Sequence, residues 1–157
     1  QKTNLEIFGA VDDIWQNREN GKLHIVDYKS TSKKGEPTIE GGGFGDGYKR
    51  QMEIYQWLFS TSGFDTSNIG YFLYVNGQKS NGFYFEDCEG RMIFDTTMIA
   101  YEGTSDWVEK SIVDAKDCLH SEALPQSADD CETPESGERS LPWEVAPSKC
   151  GRESNRH

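Results

Sequence analysis

Asp12, Asp27 and Lys29 are the residues whose types and spacing could do chemistry here. Asp27 and Lys29 stand two apart in Ile25-Val26-Asp27-Tyr28-Lys29-Ser30, a run with strand composition, so they point to one side. Asp12 closes the string Gly9-Ala10-Val11-Asp12. If Asn20-Gly21 forms a two-residue hairpin turn, Glu19 faces Lys22 and Asp12 lies opposite Lys29. Asp12 and Asp27 are then diagonal neighbours within reach of a common ion. A slip of one residue would send Asp12 to the other face. Two carboxylates on one patch repel each other, which raises one pKa. A Mg²⁺ or Mn²⁺ ion relieves that repulsion, because hard divalent cations take oxygen ligands, and the Tyr28 carbonyl is a third candidate donor. Lys29 is suited to orient or help deprotonate a water and to stabilise charge on a phosphoryl oxygen. That is the minimum equipment for hydrolysing a phosphodiester. Taken alone, an Asp-x-Lys strand is more often a solvated surface pair, and the pattern matters only in combination.

The elements that must position these groups follow from periodicity. Residues 5–15 read as a strand, with Phe8, Ala10, Asp12 and Ile14 on one face. A turn at 17–21 leads to a second strand over 22–30. Residues 31–47 are polar and Gly-rich, a long loop that is either a flap beside the site or a plain linker. No Gly-Lys-Ser/Thr follows it, so it is not a phosphate-binding P-loop. Residues 48–60 read as a helix through the stripe Met52, Tyr55 and Phe59. Gln51 and Tyr55 lie one helical turn apart on one face. Strands are predicted over 69–75, 82–86 and within 91–101, and a last helix over 107–119. His24 is offset by an odd number from Asp27, so it faces away from the carboxylates.

Composition bounds the rest. Leu, Ile, Val and Phe total 30 residues, and 27 of them precede residue 120. The sequence therefore describes one domain over 1–119 and a polar tail over 120–157 that has the composition of a disordered segment. The net charge of −11 argues against a generic nucleic-acid binder with a broad basic face. Lys33, Lys34, Lys49 and Arg50 nevertheless gather around the Gly-rich segment and are candidates for contacting a phosphate backbone. No run of about 18 apolar residues is present, so no membrane span is expected. No secretory signal is visible. Four cysteines at wide, irregular spacing do not make a disulfide scaffold, which favours a reducing, cytoplasmic setting.

The ordered set Gly9-x-x-Asp12, Asp27-x-Lys29 and Gln51-x-x-x-Tyr55 resembles the PD-(D/E)xK nuclease superfamily, in particular its RecB-type branch of CRISPR-associated and phage exonucleases. The resemblance implies a mixed α/β, restriction-endonuclease-like fold with a central mixed sheet flanked by helices. It implies Asp12 and Asp27 as metal ligands and Lys29 as the catalytic lysine. It gives Gln51 and Tyr55 the task of positioning the strand or that lysine. It also implies DNA as the partner, commonly attacked from an end. The branch's preceding helix, with its extra His or Glu ligand, has no counterpart before Gly9. Some members hold a [4Fe–4S] cluster; Cys118 and Cys131 are the only residues placed as its remnants, and Pro134 stands where a Cys-x-x-Cys partner belongs, so isolated thiols are expected. The reading is thus a metal-dependent DNA nuclease. The alternatives are a catalytically silent DNA-binding or assembly module of the same fold, and a structural domain with solvated strand charges.

Overall fold

The computed structural model describes residues 3–41, 44–79, 90–123 and 125–126. Its elements are β1 (Asp13–Gln16), β2 (Leu23–Thr31), α1 (Phe44–Thr61), β3 (Ile69–Gly77), β4 (Phe94–Glu102) and α2 (Val108–His120). The four strands form one sheet in the order β1-β2-β3-β4. β1 and β2 are antiparallel, β2 and β3 parallel, and β3 and β4 antiparallel. Adjacent parallel strands require a crossover, which α1 provides. This mixed sheet with helices is the α/β architecture expected of a restriction-endonuclease-like fold.

The chain falls into two units, Gln1–Lys116 and Asp117–His157. The sheet and α1 belong to the first. The predicted tail over 120–157 lies almost wholly outside the described residues, as do the predicted strand at 82–86 and the cysteines 88, 131 and 150. Cys118 is exposed and free.

One face of the sheet carries both the core and the charges. In β3 burial alternates, with Gly70, Phe72, Tyr74 and Asn76 on the buried side. In the parallel register Asp27 pairs with Phe72 and Lys29 with Tyr74, so all four side chains share a face. Ile25, Ile39, Met52, Phe72 and Tyr74 form the core cluster there, with Tyr48, Tyr55 and Phe59 of α1 packed against it. Full burial of side chains such as Met52 and Phe72 contributes about 1.5–3 kcal/mol each. The same packing that buries Met52 brings the α1 stripe across the ends of Asp27 and Lys29.

The hairpin forms with a different register. Asp13 pairs with Val26 and Gln16 with Leu23, a shift of two residues from the two-residue-turn arrangement. The cause is the turn. Asn17 N–H donates to Lys22 O and Gly21 N–H to Asn17 O, so the connection spans residues 17–22 and is not a tight Asn-Gly turn. An even shift preserves the face of every side chain. The first strand is also much shorter than 5–15. It stops at Asp13, because Asp12 turns its carboxylate onto the Tyr28 N–H and ends the ladder there.

The helix begins at Phe44, inside the stretch read as loop. Gly45 and Gly47 are helical despite the roughly 1 kcal/mol that glycine costs in a helix. Packing outweighs propensity at Gly45, whose imagined Cβ would lie 2.3 Å from Ile39 O. Only glycine lets the first turn sit on that backbone.

Candidate active site

Lys29 is the centre of the polar cluster. Its Nζ lies 2.5 Å from Asp27 Oδ2, with both side chains largely shielded from solvent. The contact is a close ion pair, and the Lys29 ammonium is the group that meets the buried Oδ2. Lys29 Nζ donates weakly to Gln51 Oε1 at 3.4 Å. Gln51 Nε2 in turn donates to Tyr55 Oη at 3.0 Å. The same ammonium lies 4.2 Å from the centre of the Tyr48 ring, a cation–π contact. Two α1 residues, Tyr48 and Gln51, therefore contact one strand lysine, and Tyr55 holds Gln51. Tyr55 is seated by Gly9, where a Cβ would come within 2.5 Å of the Tyr55 ring.

Asp12 reaches the same strand from the other side. Its Oδ2 accepts the Tyr28 N–H at 2.8 Å. In a β-strand a residue's N–H and C=O point to the same edge, so the Asp12 carboxylate and the Tyr28 carbonyl share that edge. Asp13 fixes the edge from outside. It accepts Tyr28 Oη at 2.6 Å, Trp15 Nε1 at 3.1 Å and the Ile14 N–H at 2.7 Å. The Tyr28 hydroxyl is the main cause that holds the Asp13 carboxyl below its usual value, and that bond in turn raises the Tyr28 phenol.

These contacts bring Asp27, Lys29, Gln51 and Tyr55 together, with Asp12 against the intervening backbone. The other basic residues of the sequence reading separate. Lys33 and Lys34 line a different groove of about 880 Å³ with Asn76 and Asp95. Asn76 Nδ2 donates to Lys33 O at 3.1 Å and ties that loop to β3. Lys49 is paired with Glu40 at 3.0 Å, and Arg50 lines a groove along α1. His24 is bonded through Nδ1 to Ile69 O at 2.8 Å, away from the carboxylates.

The groove along α1 has a volume of about 870 Å³. Phe44, Tyr48, Arg50, Gln51, Tyr55 and Trp107 are among its walls. Of these, Phe44, Tyr48 and Trp107 escaped the sequence reading. A helix begun at residue 48 omits Phe44, although 44, 48, 51 and 55 continue one helical stripe. Glu53 was missed too. It is buried within α1, yet its carboxylate accepts Tyr101 Oη at 2.7 Å, the Thr104 N–H at 3.1 Å and Trp107 Nε1 at 2.6 Å. No local signal marks it, because all its partners lie some fifty residues downstream.

Burial, reinforced by the Glu53 bond, pushes the Tyr101 phenol up to about 12. The folded value exceeds the ordinary value of about 10, so the stabilisation it carries is complete below about pH 10. It is lost as pH rises towards 12. The wild-type melting temperature should therefore fall more steeply between pH 10 and 12 than that of Tyr101→Phe. Parallel curves in thermal melts would show that Tyr101 does not carry this linkage.

The donor types suit a hard divalent cation. Asp27 offers a buried carboxylate whose Oδ2 is met by the Lys29 ammonium, and Asp12 and the Tyr28 carbonyl present hard oxygens at the strand edge. Among the described residues no group of three or more His, Cys, Asp and Glu side chains is placed to hold a metal. Among the described residues no helix is long and apolar enough to cross a membrane.

No curated protein and no solved structure matches the chain. The model of one family does match, over residues 2–134, a span that takes in the Gly9–Asp12 segment, the Asp27–Lys29 strand and the Gln51–Tyr55 helix. The chain belongs to the PD-(D/E)XK nuclease superfamily.

Proposed function

We propose that the chain is a Mg²⁺- or Mn²⁺-dependent deoxyribonuclease that hydrolyses DNA from an end, in the manner of the RecB-type branch. The observation that carries this reading is the contact chain Asp27–Lys29–Gln51–Tyr55, which spends three side chains on aiming one ammonium. Asp12, Asp27 and the Tyr28 carbonyl are the ligands assigned to the cation, which would acidify a water and offset charge on the scissile phosphate. Lys29 orients the attacking water and stabilises negative charge on the phosphoryl oxygen. The water gives up one proton to solvent as its oxygen forms a bond to phosphorus, the bond to the ester oxygen breaks, and the released alkoxide takes up a proton from solvent. Gln51 keeps the Lys29 ammonium from swinging away, and Tyr55 keeps Gln51 in place.

Metal binding tests the site apart from turnover. Calorimetry with Mn²⁺ should show binding by the wild-type chain and at least a tenfold loss in Asp27→Ala. Mn²⁺ should also raise the wild-type melting temperature, because a ligand that binds only the folded site stabilises it. Equal Mn²⁺ affinity in the two proteins would refute the ligand assignment. End-labelled DNA incubated with Mn²⁺ should then shorten progressively from a terminus.

A further inference from the structure

We propose that the groove along α1 is a stacking site for unpaired nucleobases of the strand being cut, so that the substrate is single-stranded DNA or a frayed end. This rests on the nuclease reading for the cut itself, but its own foundation is the groove. Phe44, Tyr48, Gln51 and Tyr55 fall at successive helical turns and form one wall. Phe44, the first residue of α1, is 83% exposed. Trp107 supplies another part of the lining. Its indole N–H is fixed to Glu53 at 2.6 Å, so the ring is held in one orientation before anything binds. A buried carboxylate is costly, and this one is spent partly on aiming an aromatic that lines the groove.

The occupant follows from continuity and charge. Tyr48, Gln51 and Tyr55 line the groove; Tyr48 and Gln51 also contact Lys29, and Tyr55 bonds to Gln51. A ligand in the groove therefore abuts the group assigned to a phosphate. Arg50 adds a cation to the same walls. Planar rings next to a phosphate site suit a nucleotide with its base face free. A duplex buries those faces in its own stack, whereas an unpaired strand offers them. The net charge of −11 sharpens the point. Phosphate attraction supplies most non-specific affinity in basic proteins, and here it is opposed by the rest of the molecule. Base contacts must make up the difference.

The test uses the full chain in chelator and low salt, with binding read by fluorescence anisotropy of labelled DNA. Wild-type protein should bind a single-stranded oligonucleotide roughly 10- to 100-fold more tightly than an abasic deoxyribose-phosphate strand of equal length, since stacking is strong and indifferent to sequence. It should also prefer that oligonucleotide to a blunt duplex. Phe44→Ala and Trp107→Ala should erase most of the preference, and Trp107→Phe, which keeps a ring, should retain part of it. The wild-type comparison needs no variant, so a folding defect at Trp107 does not shield the proposal. Equal binding of the abasic strand, tighter binding of the blunt duplex, or a groove filled by peptide with no dependence on bases would overturn it. Base-dependent binding without any cleavage would keep this proposal and sink the nuclease reading. Cleavage that needs Lys29 but not Phe44 or Trp107 would do the reverse.

Discussion

Replacing Lys29 by Ala is expected to lower DNA cleavage by about 10²–10³, the usual cost of losing one preorganised group that stabilises transition-state charge. The structure adds a second consequence. Asp27 is only 6% exposed, and Lys29 is the cation beside it. Removing one member of a shielded pair leaves the other charge buried without compensation, at about 3–5 kcal/mol in well-buried cases. Lys29→Ala should therefore melt earlier than wild type when no metal is present. Saturating Mn²⁺ should recover much of that loss, because a cation at Asp27 replaces the missing charge, yet it should not recover cleavage. The split between restored stability and absent turnover separates a catalytic lysine from a structural one. Gln51→Ala and Tyr55→Phe should be milder, since each removes one contact in the chain that aims Lys29. A Lys29→Ala protein that is folded, holds Mn²⁺ and cleaves as fast as wild type would defeat the mechanism.

What the sequence revealed divides along lines of distance. Asp27-x-Lys29 is a strand pattern, and strand alternation alone places both side chains on one face. Gln51 and Tyr55 are a helix pattern, and the helical period alone makes them neighbours. Both relations survive any detail of packing. The hairpin register did not follow from the Asn20-Gly21 dipeptide. Asn17 makes a wider turn, accepting the Glu19 N–H through Oδ1 and the Gly21 N–H through its carbonyl. Asp12 is not paired opposite Lys29, as a tight Asn20-Gly21 turn would have it: it lies just before the ladder, which starts at Asp13, and its carboxylate accepts the Tyr28 N–H. The start of α1 was hidden for a different reason. Glycine signals a loop locally, and its use at Gly45 becomes visible only once Ile39 lies beneath it. The parallel partnership of β2 and β3, which puts Phe72 beside Asp27, is a tertiary fact with no local trace.

Glu53 belongs to the same class of long-range facts, and it yields the largest stability effect expected outside the Lys29 pair. Its carboxylate takes three donors, from Tyr101, Thr104 and Trp107, and so ties α1 to the end of β4 and the approach to α2. Gly103 packs directly on it, with room for no Cβ. Hydrogen bonds to a charged group contribute about 1.5–3 kcal/mol each, but removing the carboxylate also removes the cost of burying it. Glu53→Ala should therefore destabilise the fold by about 3 kcal/mol, well below the sum of three bonds, because three donors then lose their acceptor together. For a unit of this size that is a fall of roughly 10 °C in melting temperature. Glu53→Gln should lie between the two, since it keeps one carbonyl oxygen but turns an amide N–H₂ towards groups that themselves donate. Chemical denaturation of the three proteins measures the series. The loss should be accompanied by weaker single-strand binding in folded Glu53→Gln, as Trp107 loses its fixed orientation. A Glu53→Ala protein within about 0.5 kcal/mol of wild type, the range of an ordinary surface change, would mean that the three bonds do not join these elements.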